Sequence, residues 1–466
     1  MSQPGSSKIS APSLPTKVDI VSNKDKSKSA SLIGGFIELR YYESILQDSI
    51  KANYMFADAG NSIDGQSVLE GLPLVGTEDV TLAFQDNFEN KLEVKLNVNC
   101  VTPLEGNSGK NAVHLQLVSE EYIKNEESNM RLVERYSGKI SDHVTSIIKG
   151  APAGAEEPKT SISFKTTKEV DIEETSNTYN FLGNGRKPFY ILNYLSKYSV
   201  PINQQANVST ENNPTSGGTN KTAGFLFFET SEKFHFKSID SLFKQEKKKS
   251  FIFNESTDAR GQIPVGYDGK ILKQSSDNAI NAQEKMMMGA YATKLVIFNP
   301  FNCHYEVIEQ SATDLDSNQS PGLQLAGKEL PVFNEKFENK KATRTTYHLL
   351  DIGSLPAGAT DEQIKSNEEE NLNVAKNLNQ AIRRYNQLFS GMMEITIAGD
   401  FSLHAGDVIF VDIPAVQSER DDTVNRQSGG LYIIADLCHL VNPDGTWTKL
   451  NLARDSFGRK GNHTNR

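Results

Sequence analysis

Leu92, Val94, Leu96 and Val98 alternate with Glu93, Lys95 and Asn97 through KLEVKLNV. A helix cannot gather such a series on one face, whereas a strand does so automatically because successive side chains point to opposite sides. The alternation returns as Val113, Leu115 and Leu117 in AVHLQLV, and Phe36–Tyr42 (FIELRYY) is apolar and aromatic, as strands are. Gly71 with Pro73, and Gly106 with Gly109, punctuate these runs. Residues 31–118 therefore read as an all-β unit, a small barrel or sandwich.

A second β region closes the chain. MMEITIAG, DVIFVDIP, GLYIIADLCHLV and WTKLNLARDS read as four strands after Gly391, with Pro443-Asp444-Gly445 as the turn between the last two. GFLFFET and KFHFKSI, separated by Ser231-Glu232, read as a hairpin.

Helical spacing lies between the β regions. Leu132, Tyr136, Ile140, Val144 and Ile148 recur every four residues, with Gly138 as a place to kink or divide the helix. KPFYILNYLSKYS puts Phe189, Leu192 and Leu195 on one side, with Pro188 in the first turn. Residues 361–390 read as a long helix with Leu372, Ala375, Leu378, Ile382, Tyr385 and Phe389 on one face. Its charges, Glu368 to Glu370 early and Arg383 and Arg384 late, suit the helix dipole. KLVIFNPF reads as a strand within the mixed region 243–345.

At 466 residues the chain is too long for one core, so two to four domains are expected. Residues 1–30, rich in Ser, Pro and Lys, read as a flexible arm, and 203–222 as a polar loop. Acidic residues outnumber basic ones, 59 to 49, giving a net charge of −10. That argues against tight nucleic-acid binding, although an acidic wall lets nucleic acid pass without sticking. Three scattered cysteines, Cys100, Cys303 and Cys438, argue against a disulfide framework and for a reducing compartment. No apolar run is long enough to span a bilayer, and the N-terminus lacks a signal-peptide core, so synthesis in a cytoplasm without stable membrane insertion is expected.

Candidate chemistry is sparse. In GDFSLHAGDVIFVDIP, Asp400, His404 and Asp407 form a conceivable metal or acid–base cluster, but an Asp after Gly is ordinary turn chemistry and no second histidine stands at ligand spacing. Cys303-His304 and Cys438-His439 each offer one inward ligand at most, too few for zinc. GGTNKT (217–222) lacks the glycine before lysine that a phosphate loop needs. KQEKKKS (244–250) reads as a solvated basic run. Paired carboxylates such as Glu120-Glu121, Glu126-Glu127 and Asp421-Asp422 sit in polar segments. No residue is assigned a catalytic role, none a metal, and no cofactor is expected.

Five segments in order carry a resemblance: SGKISDHVTSIIKG, RKPFYILNYLSKYSVP, GFLFFETSEKFHFKSIDSL, MEITIAGDFSLHAGDVIFVDIP, and GGLYIIADLCHLV followed by TKLNLARDSFG. In this order the chain resembles the baseplate hub proteins of contractile-tailed bacteriophages, which are related to the base of type VI secretion spike proteins. The resemblance implies an α+β multidomain chain with two antiparallel tail-tube-type β-barrels and additional α/β lobes. Mapped here, 1–30 is the arm, 31–118 the first barrel, 119–222 a helix-containing lobe, 223–242 plus 391–458 a split second barrel, 243–390 an inserted lobe, and 459–466 a C-terminal tail.

It further implies a homotrimeric ring that adapts a sixfold tail tube to a threefold central spike, alongside other baseplate proteins, with DNA only in transit through the channel. The expected location is the virion tail baseplate, assembled in the host cytoplasm. Some hub relatives continue into a needle or fused lysozyme; here the sequence stops soon after Asp455–Gly458, so spike and wall-degrading enzyme are expected as separate polypeptides. The strands around Phe36, Leu39 and Tyr41, and around Val408, Phe410 and Ile413, are expected near contacts with neighbours, through exposed edges. The alternatives are a tail-associated cell-wall hydrolase using Asp400, His404 and Asp407, and a type VI spike base.

Overall fold

Thirteen strands form one hydrogen-bonded sheet among the described residues of the computed structural model. Those residues are 12–60, 63, 65–104, 111–150, 162–202, 223–253, 263–275, 281–300, 303–311, 323–328, 330, 336, 344–351, 353–354, 374–413, 425 and 427–461. In chain order the strands are β1 Leu14–Val21, β2 Ser29–Ser31, β3 Phe36–Ser44, β4 Lys51–Asp58, β5 Asp79–Gln85, β6 Lys91–Leu104 and β7 Asn111–Val118. Then come β8 Arg135–Tyr136, β9 Glu169–Ile172, β10 Phe181–Leu182, β11 Phe225–Glu229, β12 Lys233–Ser238, β13 Lys249–Ile252 and β14 Gly269–Ser275. The last are β15 Ala292–Asn299, β16 His304–Ser311, β17 Arg344–Leu349, β18 Gly391–Ala398, β19 Val408–Asp412, β20 Gly430–Asn442 and β21 Gly445–Arg454.

The large sheet runs β19-β13-β14-β18-β21-β20-β3-β4-β7-β6-β5-β1-β2, and β19 also pairs with β20. That second pairing closes β13, β14, β18, β21, β20 and β19 into a six-stranded barrel. β20 has two partners in succession on one edge. Gly430–Ile433 pair with β19, and Asp436–Val441 pair with β3. The change of partner falls at Ala435, where the register with β21 also shifts and the Ala435 carbonyl accepts the Ile45 N–H at 2.9 Å. β20 is thus a strand of the closed barrel and the strand from which the N-terminal sheet continues.

The N-terminal strands curl over Leu39, Tyr54, Phe56, Leu82, Phe84 and Leu115, all buried. Among the described residues β1 does not pair with β3; the short turn Ile33–Gly35 lies against β1 and β4 instead. Apolar side chains of both β units, such as Tyr41, Phe84, Ile395, Phe401 and Leu450, form one continuous core. A two-unit protein with one shared core resists hinging between its halves.

Several expectations are corrected. The arm 1–30 is not free throughout: β1 pairs along β5, and Ser13 N–H donates to Thr446 Oγ1 at 2.8 Å. Val18 and Ile20 alternate with Lys17 and Asp19, a strand signal hidden between Ser- and Lys-rich flanks. The helix expected from Leu132 begins only at Ile140 and runs to Lys149. Gly138, at φ +127°, separates it from the extended β8, which pairs with β10. Leu132 and Tyr136 are buried all the same, so the period-four pattern recorded burial rather than helix.

The hairpin β11–β12 exists but lies outside the closed barrel. It joins β9, in parallel with β12, as a separate three-stranded sheet. Its Leu226 and Phe228 pack on Val408 and Ile433 of the barrel. The barrel recruits β13 and β14 instead, from the region expected to be an inserted lobe. The helix Pro188–Tyr198 is as expected, with Pro188 in its first turn. Of the long helix, Val374–Leu388 is described, and 361–373 lies outside the described residues. The tail starts tied down, since Arg459 makes a bidentate pair with Asp412 at 3.0 Å.

Candidate functional site at the junction of the β units

The turn before β19 meets β3 and the β11–β12 hairpin at a buried polar junction. Two glycines shape it. Gly406 has φ +87°, and a Cβ there would lie 2.7 Å from the Phe228 ring; a Cβ on Gly399 would lie 2.3 Å from Thr446. Asp400 accepts from Ser402 N–H at 3.1 Å and Ser402 O–H at 2.6 Å, and pairs with Lys249. Asp407 accepts from the His404 N–H and from Lys248 Nζ, both at 2.8 Å. Both aspartates thus close turns, as the Gly-Asp pairs predict. Burial pushes the Asp400 carboxyl up, but Lys249 and the Ser402 donors outweigh it and hold the group below its ordinary value.

His404 has a partner that sequence reading missed. Its Nδ1 lies 3.3 Å from Glu43 of β3 and its Nε2 3.6 Å from Glu232. Glu43 is buried and also accepts from Tyr41 O–H at 2.8 Å, Ser231 N–H at 2.8 Å and Ala405 N–H at 3.0 Å. Burial alone would raise its carboxyl; His404 and the backbone donors reverse that and bring it to about 2. Burial lowers the His404 imidazole, and Glu43 more than compensates, so its basicity is raised. One carboxylate therefore ties β3, the hairpin turn and the β19 turn together.

Two further groups complete the junction. Buried Glu229 of β11 accepts from Lys168 Nζ and from Ile50 N–H at 2.9 Å, linking the hairpin to the turn after β3. Burial lifts its carboxyl to about 7, against the opposing pull of Lys168. His439 of β20 stacks on Tyr41 and meets Phe401 edge-on, with centroids 6.0 and 4.9 Å away. Burial lowers its imidazole to about 4.

The basic run 244–250 was expected to be solvated. Instead Lys248 and Lys249 clamp the two turn aspartates, and Lys247 lies over the Phe410 ring at 5.3 Å. GGTNKT and Asp421-Asp422 lie outside the described residues. A cleft of about 130 Å³ opens beside His404, lined in part by Asp171, His235, Lys237, Lys248 and Asp407. Several of its charges pair with one another: Lys237 lies 2.7 Å and His235 3.5 Å from Asp171, and Lys248 lies 2.8 Å from Asp407. Acid–base work needs a group poised to exchange its proton with a substrate. The carboxyl raised to about 7, Glu229, is itself buried beneath Lys168 and Ile50. Among the described residues no group of His, Cys, Asp or Glu is arranged to hold a metal ion.

The strands singled out for neighbour contacts are interior. Leu39, Tyr41, Val408 and Phe410 are buried within this chain, Ile413 nearly so, and Phe36 is half-buried. Leu39–Tyr42 and Ile409–Val411 are paired on both edges. The expectation of exposed edges there is corrected: β3 lies between β20 and β4, and β19 lies between β13 and β20 of its own barrel.

No protein-family model matches the chain. Over 243 residues it is 21% identical to gp334, a probable baseplate hub protein of Vibrio phage KVP40. The chain is similar to a phage baseplate hub protein. The match takes in 51% of this chain and 54% of gp334, so the chain spans about half the length of that curated relative. Among solved structures, the 43 kDa tail protein of prophage MuSo2 from Shewanella oneidensis matches with 8% identity and a TM-score of 0.49, over 94% of this chain and 98% of that one. A tail protein from Neisseria meningitidis MC58 matches with 9% identity and a TM-score of 0.49, over 94% and 96%. The resemblance to baseplate hub proteins read from the five segments is borne out by the curated relative.

Proposed function

We propose that the chain is a structural hub of a phage tail baseplate. Three copies form a ring that joins the tail tube to the central spike and encloses a channel for DNA. The observation that carries this reading is the 243-residue similarity to a probable baseplate hub protein. The architecture supports it. Two β units share one core and one strand, β20, and the junction is fixed by buried hydrogen-bonded charges. Such a body transmits force without hinging. The net charge of −10 suits a wall past which DNA moves without adhering.

An outer sheet supports assembly with other chains. Phe298, Tyr305, Tyr347 and Leu349 are exposed on β15–β17, and register places Phe298, Tyr305 and Leu349 side by side. A clustered apolar face of this kind marks a surface that another molecule covers. Neighbour contacts of β3 and β19 come from their turns and from Phe36, since their edges are occupied.

Native mass spectrometry and light scattering test the ring, on the chain alone and mixed with a tail spike protein. Three chain masses are expected. A strict monomer at high concentration under both conditions overturns the ring. The purified chain is expected to leave bacterial cell wall intact; lysis abolished by Asp407→Ala would overturn the non-enzymatic reading.

A further inference from the structure

A short antiparallel surface on the helical lobe concentrates positive charge in a chain that is acidic as a whole. β8 pairs with β10, placing Leu182 beside Arg135, and Leu132 bridges to Arg186. Along RLVERY, Leu132 and Tyr136 point inward and are buried, which turns Arg131, Val133 and Arg135 outward. Val133, Leu182 and Tyr190 are 60%, 49% and 52% exposed, high for apolar side chains so close together. A groove of about 440 Å³ lies between Arg131, Arg186 and Tyr190.

Arg186 and Arg131 are each held in place by a neighbouring group. The Arg186 guanidinium lies over the Tyr190 ring, 5.0 Å from its centroid. Stacking fixes its plane and leaves its N–H edges facing out. Arg131 donates to the Gly185 carbonyl at 3.1 Å and keeps its remaining donors. Among the described residues no ion pair with a carboxylate involves Arg135 or Arg186, whereas Glu126 pairs with neighbouring Lys187 and is also held below its ordinary value in part by the Arg131 charge. Glu134, half-buried between Val133 and Arg135, is the one acid of RLVERY and has contacts of its own.

We propose that Arg131, Val133, Arg135, Leu182, Arg186 and Tyr190 form a docking surface for an acidic segment of another protein, one that carries apolar side chains among its carboxylates. Planar guanidiniums match carboxylates in a bidentate fork. The interleaved Val133, Leu182 and Tyr190 call for apolar partners, which a phosphate backbone does not offer. A nucleic acid would also need a longer basic track than this patch supplies. The proposal goes beyond the hub reading and stands independently of it.

Fluorescence anisotropy of the full chain with a fluorescein-labelled EELEEL peptide tests it at low salt. Saturable binding is expected, weakened roughly tenfold in Arg131→Glu/Arg186→Glu, since two lost charge contacts of about 0.7 kcal/mol each amount to that factor. Leu182→Ala is expected to weaken binding, whereas Lys95→Glu, an exposed control on β6, leaves it unchanged. Thermal melts confirm that each variant is folded, and Arg135→Glu alone replaces the double variant if that one is not. Absence of saturable binding overturns the proposal. So does equal loss in Lys95→Glu, or tighter binding of a single-stranded DNA oligonucleotide that depends on the same arginines.

Discussion

Glu43 and His404, 361 positions apart in sequence, meet with Oε1 and Nδ1 3.3 Å apart where β3 passes the turn before β19. The carboxylate has three further donors, Tyr41, Ser231 and Ala405. Replacing it with Ala leaves those donors buried without an acceptor. Glu43→Ala is therefore expected to lower unfolding free energy by about 3 kcal/mol, in line with breaking a buried, hydrogen-bonded charge. Urea denaturation measures it; a loss under about 0.5 kcal/mol would mean that the junction relaxes around the deletion.

The junction also sets a pH dependence with opposing parts. Glu229 lies at about 7 when folded, above its ordinary 4.5, so the folded state binds the extra proton and stability falls as pH rises from 4.5 to 7. His439 lies at about 4, below its ordinary 6.5, so the unfolded state binds the extra proton and stability falls as pH drops from 6.5 to 4. The two nearly cancel between pH 4.5 and 6.5. Glu229→Gln removes the first and exposes the second. Its stability is expected to fall on acidification through that window more steeply than the parent's, by up to about 1.4 kcal/mol per pH unit. Melting temperatures across pH 4.5 to 7 decide it, and parallel profiles for the two proteins would refute the assignment.

The strands of both β units were legible because one face of each is buried, and burial writes period two into the sequence. β6 and β7 follow from alternation, β18, β20 and β21 from apolar strand-like runs, and the hairpin β20–β21 from Pro443-Asp444-Gly445. The arrangement of the strands was not legible. Nothing local in GLYIIADLCHLV says that one edge serves β19 first and β3 afterwards. The resemblance places the hairpin β11–β12 in the second barrel; its apolar side chains are buried instead between the lobe and the barrel wall. The roles of Glu43, Lys248 and Lys249 depend on partners more than 150 positions away, and each looks like an ordinary surface charge in its own segment.

Asp407 separates a turn contribution from an ionic one. Its carboxylate closes the turn on the His404 N–H and also pairs with half-exposed Lys248. Asp407→Asn keeps the turn acceptor and loses the charge, while Asp407→Ala loses both. Losses of about 0.5 kcal/mol for Asn, typical of an exposed ion pair, and about 1.5 kcal/mol for Ala are expected. Raising salt should erase the Asn effect and leave most of the Ala effect. Equal losses for the two variants would place the whole contribution in the Lys248 pair.

Arg384 supplies the sharpest test of how the described helix Val374–Leu388 is anchored. It is fully buried and donates to Asp455 at 2.8 Å and Asp240 at 2.9 Å, bridging the end of β21 and the helix Ile239–Lys244. Removing the guanidinium strands two buried carboxylates, and Arg384→Met is expected to cost about 3 to 5 kcal/mol. Combining it with Asp240→Asn and Asp455→Asn removes the stranded charges, so the triple variant should recover a large part of that loss. The double-mutant logic is decisive because additive losses, with no recovery, would show that each residue acts through packing rather than through the charge triad.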